Sequence, residues 1–356
     1  MTKTPTLRIT AVARTPIGAL GGQLSPVNPL QLGCAAVGHV GARAGIAGEQ
    51  VKRLFLGGIF GAGIGPNPAQ RVAAECGLDD DTLCLTVRAG AGSALTALLS
   101  AGSMLSEGEL AIVGGFDSAT AQPYLLPRAR RGSKLGGARM FDGADAEAWT
   151  GEDDVPLNVT SALNARRYEV DDARVDAWKN RPLEAIEPAV ITPVEVMARR
   201  KAVFVERDEA PGAAPGPFHA PLADAAGCVV LSTDAEASGP RLIGWQQRNV
   251  SPNQSPLAAV EALGCLLAAH SIEPTTLAQV ELDESLGVSP FVAQAELGIS
   301  PDRLNPYGGS LNRGYPGGAC AALSLINLTC GLAPGSLGAV SYGLGSGSAI
   351  ALLFEG

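Results

Sequence analysis

Apolar residues recur along this chain in two alternating kinds of segment, short continuous runs and longer amphipathic stretches. The short runs, such as "TLRITAVA" and "ELAIVGG", have the length and β-branched content of buried strands. The longer stretches repeat their apolar positions with the period of a helix that packs on one face. Helices are expected over residues 29–44, 69–76, 93–105, 164–178, 257–271, 290–296 and 319–328. This alternation predicts an α/β fold in which helices cover sheets.

The order of these segments is repeated in the two parts of the chain. In the first part, "VKRLFLGGIFGAG" is followed by a helix after "TVRAGAG" and then by "ELAIVGGFDSA". In the second part, "LAQVELDESLG" is followed by a helix after "YPGGACAALSL" and then by "LGAVSYGLGSGSA". The separation of Gly92 from Val113 nearly matches that of Gly318 from Val340. The repetition predicts two similar α/β halves whose pseudo-twofold brings the two Gly-rich turns near each other.

One segment between the halves breaks this pattern. Residues 122–209 are rich in loops and arginine, with one predicted helix in "SALNARRYEVDDARVDAWKNR". We therefore predict an N-terminal half over 1–121, an inserted loop domain over 122–209 and a C-terminal half over 210–356. The last strand of the N-terminal half is expected to return after the insertion, at about 225–250.

The composition narrows the classes of partner and cofactor. The chain has 356 residues, 46% of them hydrophobic, and a net charge of −9, so a large core is available and nucleic acid is a poor partner. Seven scattered cysteines without a CxxC pair and only three histidines predict no metal site and no disulfide framework. There is no signal-like apolar N-terminus and no apolar run of the ~20 residues that a membrane span needs. We therefore expect a cytoplasmic protein without membrane contact.

One turn has the setting of an active-site nucleophile but no nucleophile. In "TVRAGAGSAL", a strand-like "TV" enters a Gly-rich turn that leads into an alanine-rich helix. Nucleophiles often occupy such turns because the N-terminus of the helix stabilises an anion there. The residue in that place is Ala91, and Ser93 is expected to cap the helix rather than to react.

Seven stretches, in order, resemble landmarks of the thiolase family. They are "AVARTPIGALGGQLS", "GIGPNPAQRVAAECGL", "GGFDSAT", "PYLLPRARRG", "TPVEV", "NPYGGSLNRGYPGGACA" and "GSGSAIALLFE". The resemblance covers nearly the whole chain. It implies a five-layer αβαβα sandwich of two similar halves with an inserted loop domain, assembled as a homodimer or tetramer. It also implies an acyltransferase of lipid metabolism, of the acetyl-CoA acetyltransferase and 3-ketoacyl-CoA thiolase kind.

The resemblance places the catalytic residues of the family at positions where this chain differs. The acyl-accepting Cys of the family falls at Ala91, and the His of its Gly-His-Pro motif falls at Tyr315 in "GYP". The second Cys, a general acid/base, falls at Gly343, and the Asn of the Asn-Glu-Ala-Phe motif falls at Asp283 in "DESL". The Ser-Gly stretch that lies along the pantetheine arm of CoA corresponds to Ala220-Pro221. Each of these differences lies at a position that the resemblance assigns to catalysis or to CoA binding.

These replacements limit the reactions that are possible. A thiolase needs a thiolate to take up the acyl group and a second acid or base to handle the substrate carbanion. Ala91 and Gly343 supply neither group. Tyr315 can donate a proton or polarise a carbonyl, and Asp283 can act as a base beside it. In the alternative interpretation, Tyr315 fills the space of the His and Asp283 caps a turn.

Two other residues are expected to line the same region. Tyr342, beside the position of the lost second Cys, has the same two interpretations as Tyr315. Cys320 lies five residues after Tyr315 near a helix N-terminus, which makes it the best substitute nucleophile. The helical pattern nevertheless turns Cys320 toward packing.

Three functions follow, none of which needs a cofactor, with CoA or an acyl-CoA as the expected ligand. The first is a thiolase-like binding or partner subunit for an acyl-CoA enzyme or a small acyl-binding domain, without Claisen chemistry. The second is a non-covalent retro-aldolase or lyase that acts on an acyl thioester through Tyr315 and Asp283. The third is a residual acyl-CoA acyltransferase.

Overall fold

The computed structural model describes residues 6–127, 129–132, 135, 137–149, 157–198, 201–214 and 216–356. The strands are β1 (Arg8–Arg14), β2 (Gly18–Ala19), β3 (Val51–Gly57), β4 (Leu83–Val87), β5 (Leu110–Ser118), β6 (Tyr124–Leu125), β7 (Phe141–Asp142), β8 (Val194–Ala198), β9 (Lys201–Val205), β10 (Ala223–Ser232), β11 (Arg241–Asn249), β12 (Gln279–Leu282), β13 (Leu337–Gly345) and β14 (Ser348–Glu355). The main sheet runs in the order β4-β3-β5-β10-β1-β11-β14-β13-β12, with β2 beside β10.

The α-helices account for most of the remaining regular structure. They are α1 (Pro29–Ala44), α2 (Pro68–Glu75), α3 (Ser93–Gly102), α4 (Gly143–Trp149), α5 (Leu157–Arg167), α6 (Asp172–Lys179), α7 (Ala258–Ala269), α8 (Ser289–Leu297), α9 (Ser310–Arg313) and α10 (Cys320–Gly331). Within the described ranges, no helix is both long and apolar enough to cross a membrane.

The main sheet consists of two strand groups with the same topology. The only residue pair that joins β1 to β11 is Arg8 with Arg241, so the two groups meet at one point. In the first group, β3 has parallel neighbours on both sides, β4 and β5. In the second, β12 is parallel to β13 on one side and meets only Leu304 on the other, through a single parallel bridge at Val280. The edge strand of the first group is thus reduced to one bridge in the second.

Helices cover the outer faces of both groups and fill the space between them. Helices α1 and α2 pack on the first group, and α7 packs on the second with α8 beside it. Helices α3 and α10 lie between the groups, where α3 contacts β3 and β5 and α10 contacts β10, β12 and β13. Leu95 and Leu98 of α3 and Leu325 of α10 are fully buried, as expected for a middle layer. The predicted five-layer αβαβα sandwich is confirmed.

Local sequence explains the bounds of α1, which match the prediction. The Asn28 side chain accepts from the backbone N–H of Leu30, and the Gln31 side chain accepts from the backbone N–H of Asn28. Pro29 occupies the first turn, where its missing N–H costs nothing. Gly45 ends the helix in the left-handed region, at φ 63°.

The prediction of one helix over 164–178 is wrong, because two helices, α5 and α6, occupy this stretch with a break between them. The chain leaves α5 after Arg167, and Glu169 takes a positive φ of 52°. Asp171 then caps α6 by accepting from the N–H of Arg174 at 2.8 Å. The insertion also contains α4 and the β8–β9 hairpin. The Asp171 side chain bonds the backbone at the start of α6, which favours a new helix over continuation of α5. The periodicity of apolar residues does not reveal this break.

A buried carboxylate fastens the insertion to the second half. Glu284 is fully buried and accepts from Trp178 Nε1 of α6 at 2.8 Å. It also accepts from Asn305 Nδ2 at 3.0 Å and from the N–H of Leu311 at 3.1 Å. The guanidinium of Arg181 lies over the Trp178 ring, 3.4 Å from its centroid. The insertion is therefore held through satisfied buried polar contacts as well as through apolar packing.

Candidate functional site

The Gly-rich turn before α3 is closed by its own side chains. Ala91 is 5% exposed and belongs to the core between the halves. The Ser93 hydroxyl donates to the carbonyl of Gly90 at 2.7 Å and accepts from the N–H of Ala89 at 2.9 Å. Ser93 therefore braces the turn from the first position of α3, and the expectation that it caps the helix is wrong, because the N-cap residue is Gly92. With both bonds made inside the protein, Ser93 is not a free nucleophile.

This turn lies directly against the end of β13. The N–H of Gly92 donates to the carbonyl of Gly343 at 2.8 Å, and the N–H of Ala321 reaches the carbonyl of Ala91 at 3.4 Å. A Cβ atom at position 92 would lie 2.6 Å from Leu344 Cδ2. A side chain at position 92 would have to displace the Leu344 side chain, and its Cβ atom would lie 3.1 Å from the Gly343 carbonyl oxygen. The positions assigned to the two thiols, 91 and 343, thus lie beside the same contact between the halves.

Asp283 lies at this contact and is bonded to the backbone of Gly343. Its Oδ1 accepts from the N–H of Ser285 at 3.0 Å, and its Oδ2 accepts from the N–H of Gly343 at 3.1 Å. The side chain remains partly exposed, and partial burial raises the pKa of its carboxyl group. A Cβ atom at position 343 would contact only this carboxylate, at 3.1 Å. A Cβ atom at position 343 would therefore meet no backbone atom and would only need the Asp283 carboxylate to give way slightly.

Tyr315 lies in the turn before α10 and is held by backbone pairing. Its N–H donates to the carbonyl of Pro221 at 2.7 Å, and its carbonyl accepts from the N–H of Ala223 at 3.0 Å. Burial raises the pKa of the phenol well above its usual value, and Cys320 and Asp283 nearby add to the increase. Tyr315 therefore stays protonated at neutral pH, so it can donate a proton but cannot serve as a base.

Cys320 and Tyr342 belong to a small cavity beside α10. Burial raises the pKa of the Cys320 thiol well above its usual value, which keeps it from forming a thiolate. The Tyr342 hydroxyl pairs with the Ser324 hydroxyl of α10 at 2.7 Å. The cavity that both residues line, together with Ser324 and Asn327, has a volume of about 20 Å³. That volume holds about one water molecule and no acyl group.

A buried carboxylate that the sequence analysis did not single out joins the two halves near this site. Asp117, at the end of β5, is 1% exposed. It accepts from the N–H groups of Ile59 at 2.8 Å, Phe60 at 3.0 Å and, across the halves, Gly318 at 2.6 Å. Burial raises the pKa of the Asp117 carboxyl to about 7. The three backbone N–H groups lower this pKa, but their effect is smaller than that of burial. The sequence signal that could have identified Asp117 is its position in "GGFDSAT", where a carboxylate directly follows an apolar run.

A surface groove of about 450 Å³ lies between α5 and α6. Its lining includes Arg166 and Phe218. Two residues beyond Phe218, the N–H of Ala220 donates to the carbonyl of Ser285 at 2.9 Å, and Ser285 is itself bonded to Asp283. The segment that begins at Phe218 therefore connects the groove to Asp283. Among the residues that the structure describes, no cluster of His, Cys, Asp or Glu is arranged to hold a metal ion.

Two repeated α/β halves enclose a helical middle layer, and a loop domain is inserted in the first. The family model "Thiolase, N-terminal domain" matches residues 7–214, and "Thiolase, C-terminal domain" matches residues 238–356. The chain belongs to the thiolase family.

Named relatives and solved structures agree with this assignment. The chain is 28% identical to "Acetyl-CoA acetyltransferase ERG10, cytosolic" of Gibberella zeae, over 100% of this chain and 99% of the relative. It is 28% identical to "Beta-ketothiolase BktB" of Cupriavidus necator, over 96% and 97%. Its fold resembles the Bacillus anthracis acetyl-CoA acetyltransferase with a TM-score of 0.90, at 22% identity and full coverage of both chains. The Acat5 thiolase of Ascaris suum, solved with coenzyme A, gives 0.83 at 18% identity, over 98% and 99%.

The raised pKa of Asp117 predicts a pH dependence of stability. The unfolded group titrates near 3.8 and the folded group near 7, so the folded state holds the proton more tightly. The contribution is fully present below pH ~3.8 and is lost as the pH rises through 7. We expect the free energy of unfolding of the wild type, relative to Asp117→Asn, to fall by about 3 kcal/mol between pH 5 and pH 8.

Urea titrations of both proteins across this pH range measure the difference. Comparison with the variant cancels the contributions of the other titrating groups. The exposed Asp81→Asn serves as the control for the loss of a surface carboxylate. A constant difference for Asp117→Asn would show that Asp117 does not titrate between pH 5 and pH 8 and would contradict a pKa of about 7.

Proposed function

We propose that this thiolase-family chain binds an acyl-CoA-related ligand, or serves as the partner subunit of an acyl-CoA enzyme or a small acyl-binding domain, without Claisen chemistry of its own. One observation carries the proposal. At the contact between the halves, the positions that the family resemblance assigns to the two thiols hold the methyl group of Ala91 and the hydrogen of Gly343. The backbone around them keeps its hydrogen bonds, including Gly92 N–H to the Gly343 carbonyl at 2.8 Å.

The missing groups remove both halves of the thiolase reaction. Without a thiolate, no acyl-enzyme forms, and loss of a catalytic nucleophile typically costs on the order of 10⁶ in rate. Without a second thiol at position 343, the carbanion has no acid or base on that side. The remaining acidic group, Asp283, is occupied by two backbone N–H donors.

The residual acyltransferase is the weakest of the three functions. It needs Cys320 as the nucleophile, and this thiol is 3% exposed in a cavity of about 20 Å³. Burial holds its pKa well above the usual value, so the thiolate fraction at neutral pH is negligible. The sequence-based preference for a packing role is consistent with this environment.

A non-covalent lyase is the second candidate, because the charge of Asp283 reaches the Tyr315 phenol. Burial raises the pKa of this phenol most, and the charges of Cys320 and Asp283 add to the increase. A protonated phenol beside a partly exposed carboxylate is a suitable acid and base pair for cleaving a β-hydroxyacyl thioester. Tyr342 does not join this pair, since its hydroxyl is bonded to Ser324 in the small cavity.

The groove between α5 and α6 supports an acyl-CoA-related ligand. Its Arg166 supplies a positive charge for phosphate and Phe218 supplies an apolar surface, while Asp171 and Asp172 also line the groove and place negative charge at the start of α6. The chain then passes to Ala220 and Pro221, which the family resemblance assigns to the pantetheine arm. The Ascaris suum thiolase with the same fold was solved with coenzyme A. CoA or acyl-CoA is therefore our proposed ligand.

Assembly and location are further parts of the proposal. Strand β4 forms an edge of the main sheet, and its Leu83 and Leu85 are 37% and 41% exposed. An exposed apolar edge strand is a natural surface for pairing with a second copy, which supports a homodimer or tetramer. The cytoplasmic location remains a prediction, supported by the word cytosolic in the name of one relative.

Acetyl transfer to the protein tests the loss of chemistry. Wild-type protein incubated with acetyl-CoA should show no acetyl adduct by intact mass spectrometry. Ala91→Cys places a thiol before the N-terminus of α3 and should gain slow acylation. It should still lack steady-state thiolysis of acetoacetyl-CoA, because Tyr315 and Gly343 do not replace the His and the second thiol.

Two outcomes would change the assignment. An acetyl group on Cys320 of the wild type, or rapid thiolysis by Ala91→Cys, would contradict the proposal. Release of an aldehyde or ketone from a β-hydroxyacyl-CoA, abolished in Asp283→Asn, would instead establish the lyase.

Calorimetry with CoA tests ligand binding. We expect the wild type to bind, and Arg166→Ala to weaken binding by about tenfold through loss of a charged phosphate contact. The matched control is Arg167→Ala, which removes the neighbouring exposed charge outside the groove lining and should bind as the wild type does. Absence of heat for both CoA and acetyl-CoA would refute the ligand assignment and leave only the partner role.

Light scattering tests the assembly. The wild type at micromolar concentration should have at least twice the mass of one chain, and Leu83→Lys with Leu85→Lys should reduce it to a monomer. Leu163→Lys, on the exposed face of α5, is the matched control and should keep the wild-type mass. A monomeric wild type would remove the assembly claim.

A further inference from the structure

Two cysteines far from the candidate site lie side by side on the outer face of the first half. Cys34 is in α1 and Cys76 follows the last residue of α2, 42 residues later. The Cys76 sulfur lies 3.6 Å from the Cys34 carbonyl oxygen. The Cys76 thiol therefore lies directly beside Cys34. Both side chains are partly exposed, so small molecules in solution can reach them.

The surroundings make the two thiols unequal. The Cys34 sulfur lies 3.4 Å from Glu75 Oε2, which accepts the Cys34 proton in a hydrogen bond. The neighbouring Cys76 thiol, burial and the charge of Glu75 raise the pKa of the Cys34 thiol. The neighbouring Cys34 thiol lowers the pKa of the Cys76 thiol, against burial and the charge of Glu75, which raise it. Cys34 thus keeps its proton beside a carboxylate, and Cys76 is the thiol with the lower pKa.

We propose that Cys34 and Cys76 form an oxidisable dithiol site, at which a hydroperoxide converts the two thiols into a disulfide between α1 and α2. This site is independent of the proposed function, because neither cysteine lies near Ala91, Asp283 or Tyr315 in the fold. The other cysteines of the chain have different surroundings. Cys84, Cys228 and Cys320 are buried, Cys265 lies in α7 of the second half, and Cys330 is exposed.

The chemistry has two balanced steps. The Cys76 thiolate attacks one oxygen of hydrogen peroxide, the O–O bond breaks, and hydroxide leaves and takes up the proton lost by Cys76, which gives a sulfenic acid and water. The Cys34 sulfur then attacks the sulfenic sulfur, the S–O bond breaks, and hydroxyl leaves with the Cys34 proton as a second water. Two thiols lose two electrons and two protons, and one peroxide is reduced to two waters.

A disulfide at this place would restrain the chain between α1 and α2. The closed segment contains β3 and the Gly-rich loop that precedes α2. Cross-links of this length stabilise mainly by restricting the unfolded chain. The expected consequence is an increase of about 4 °C in the melting temperature of the oxidised protein over the reduced one.

Mass spectrometry of the full chain tests the proposal. The reduced protein is treated with hydrogen peroxide, and remaining thiols are blocked with N-ethylmaleimide. We expect a loss of two hydrogens, two fewer maleimide adducts and a cross-linked peptide pair that contains Cys34 and Cys76. Cys34→Ser and Cys76→Ser should each abolish the cross-link, while Cys330→Ser should keep it.

Two further measurements separate a reactive pair from a packing contact. With dimedone present, Cys34→Ser should trap a sulfenic acid at Cys76, because the resolving thiol is missing. In the wild type, iodoacetamide at pH 7 should label Cys76 about tenfold faster than Cys330. This comparison needs no variant and remains valid if a serine variant fails to fold. A cross-link between other cysteines, an unchanged mass or equal labelling rates would overturn the proposal.

Discussion

The buried carboxylate of Asp117 holds the two halves of this molecule in one arrangement. It ends β5 of the first group and accepts N–H bonds from Ile59, Phe60 and Gly318. Gly318 belongs to the turn before α10, so the same carboxylate that orders a loop of its own half also fixes the helix of the other half. The close approach requires glycine, since a Cβ atom at position 318 would lie 2.6 Å from Gly58 Cα.

The site shows how a thiolase framework can persist while its reacting groups are absent. The contacts that position the turns are made by backbone atoms, such as the Gly92 N–H and the Gly343 carbonyl. Backbone bonds do not depend on the side chain at position 91, so a methyl group there disturbs neither the turn nor α3. At position 343, a Cβ atom would contact only the Asp283 carboxylate, at 3.1 Å, and no backbone atom. Fold and chemistry are therefore carried by different atoms of the same residues.

Prediction from the sequence succeeded where the determining interactions are local. The cap at Asn28 and the glycine at position 45 define α1, and its predicted bounds agree with the structure. Prediction was less accurate in the insertion, because Asp171 caps a new helix where the periodicity indicated one continuous helix. In the site, the pairing of Asp283 with the Gly343 N–H joins residues 60 positions apart, and no local pattern reveals it.

By itself, the sequence determined the alternation of strands and helices, the duplication of the halves, the Gly-rich turns and the absence of a thiol at positions 91 and 343. These features depend on residue identity and on neighbours a few positions away. Only the tertiary structure decided which polar groups meet. It brought Asp117 to Gly318 across 201 residues, directed the Tyr342 hydroxyl to Ser324 and set Cys34 beside Cys76. Such pairings are fixed by how whole layers pack, because an N–H or a thiol finds its partner only after distant segments have been brought together.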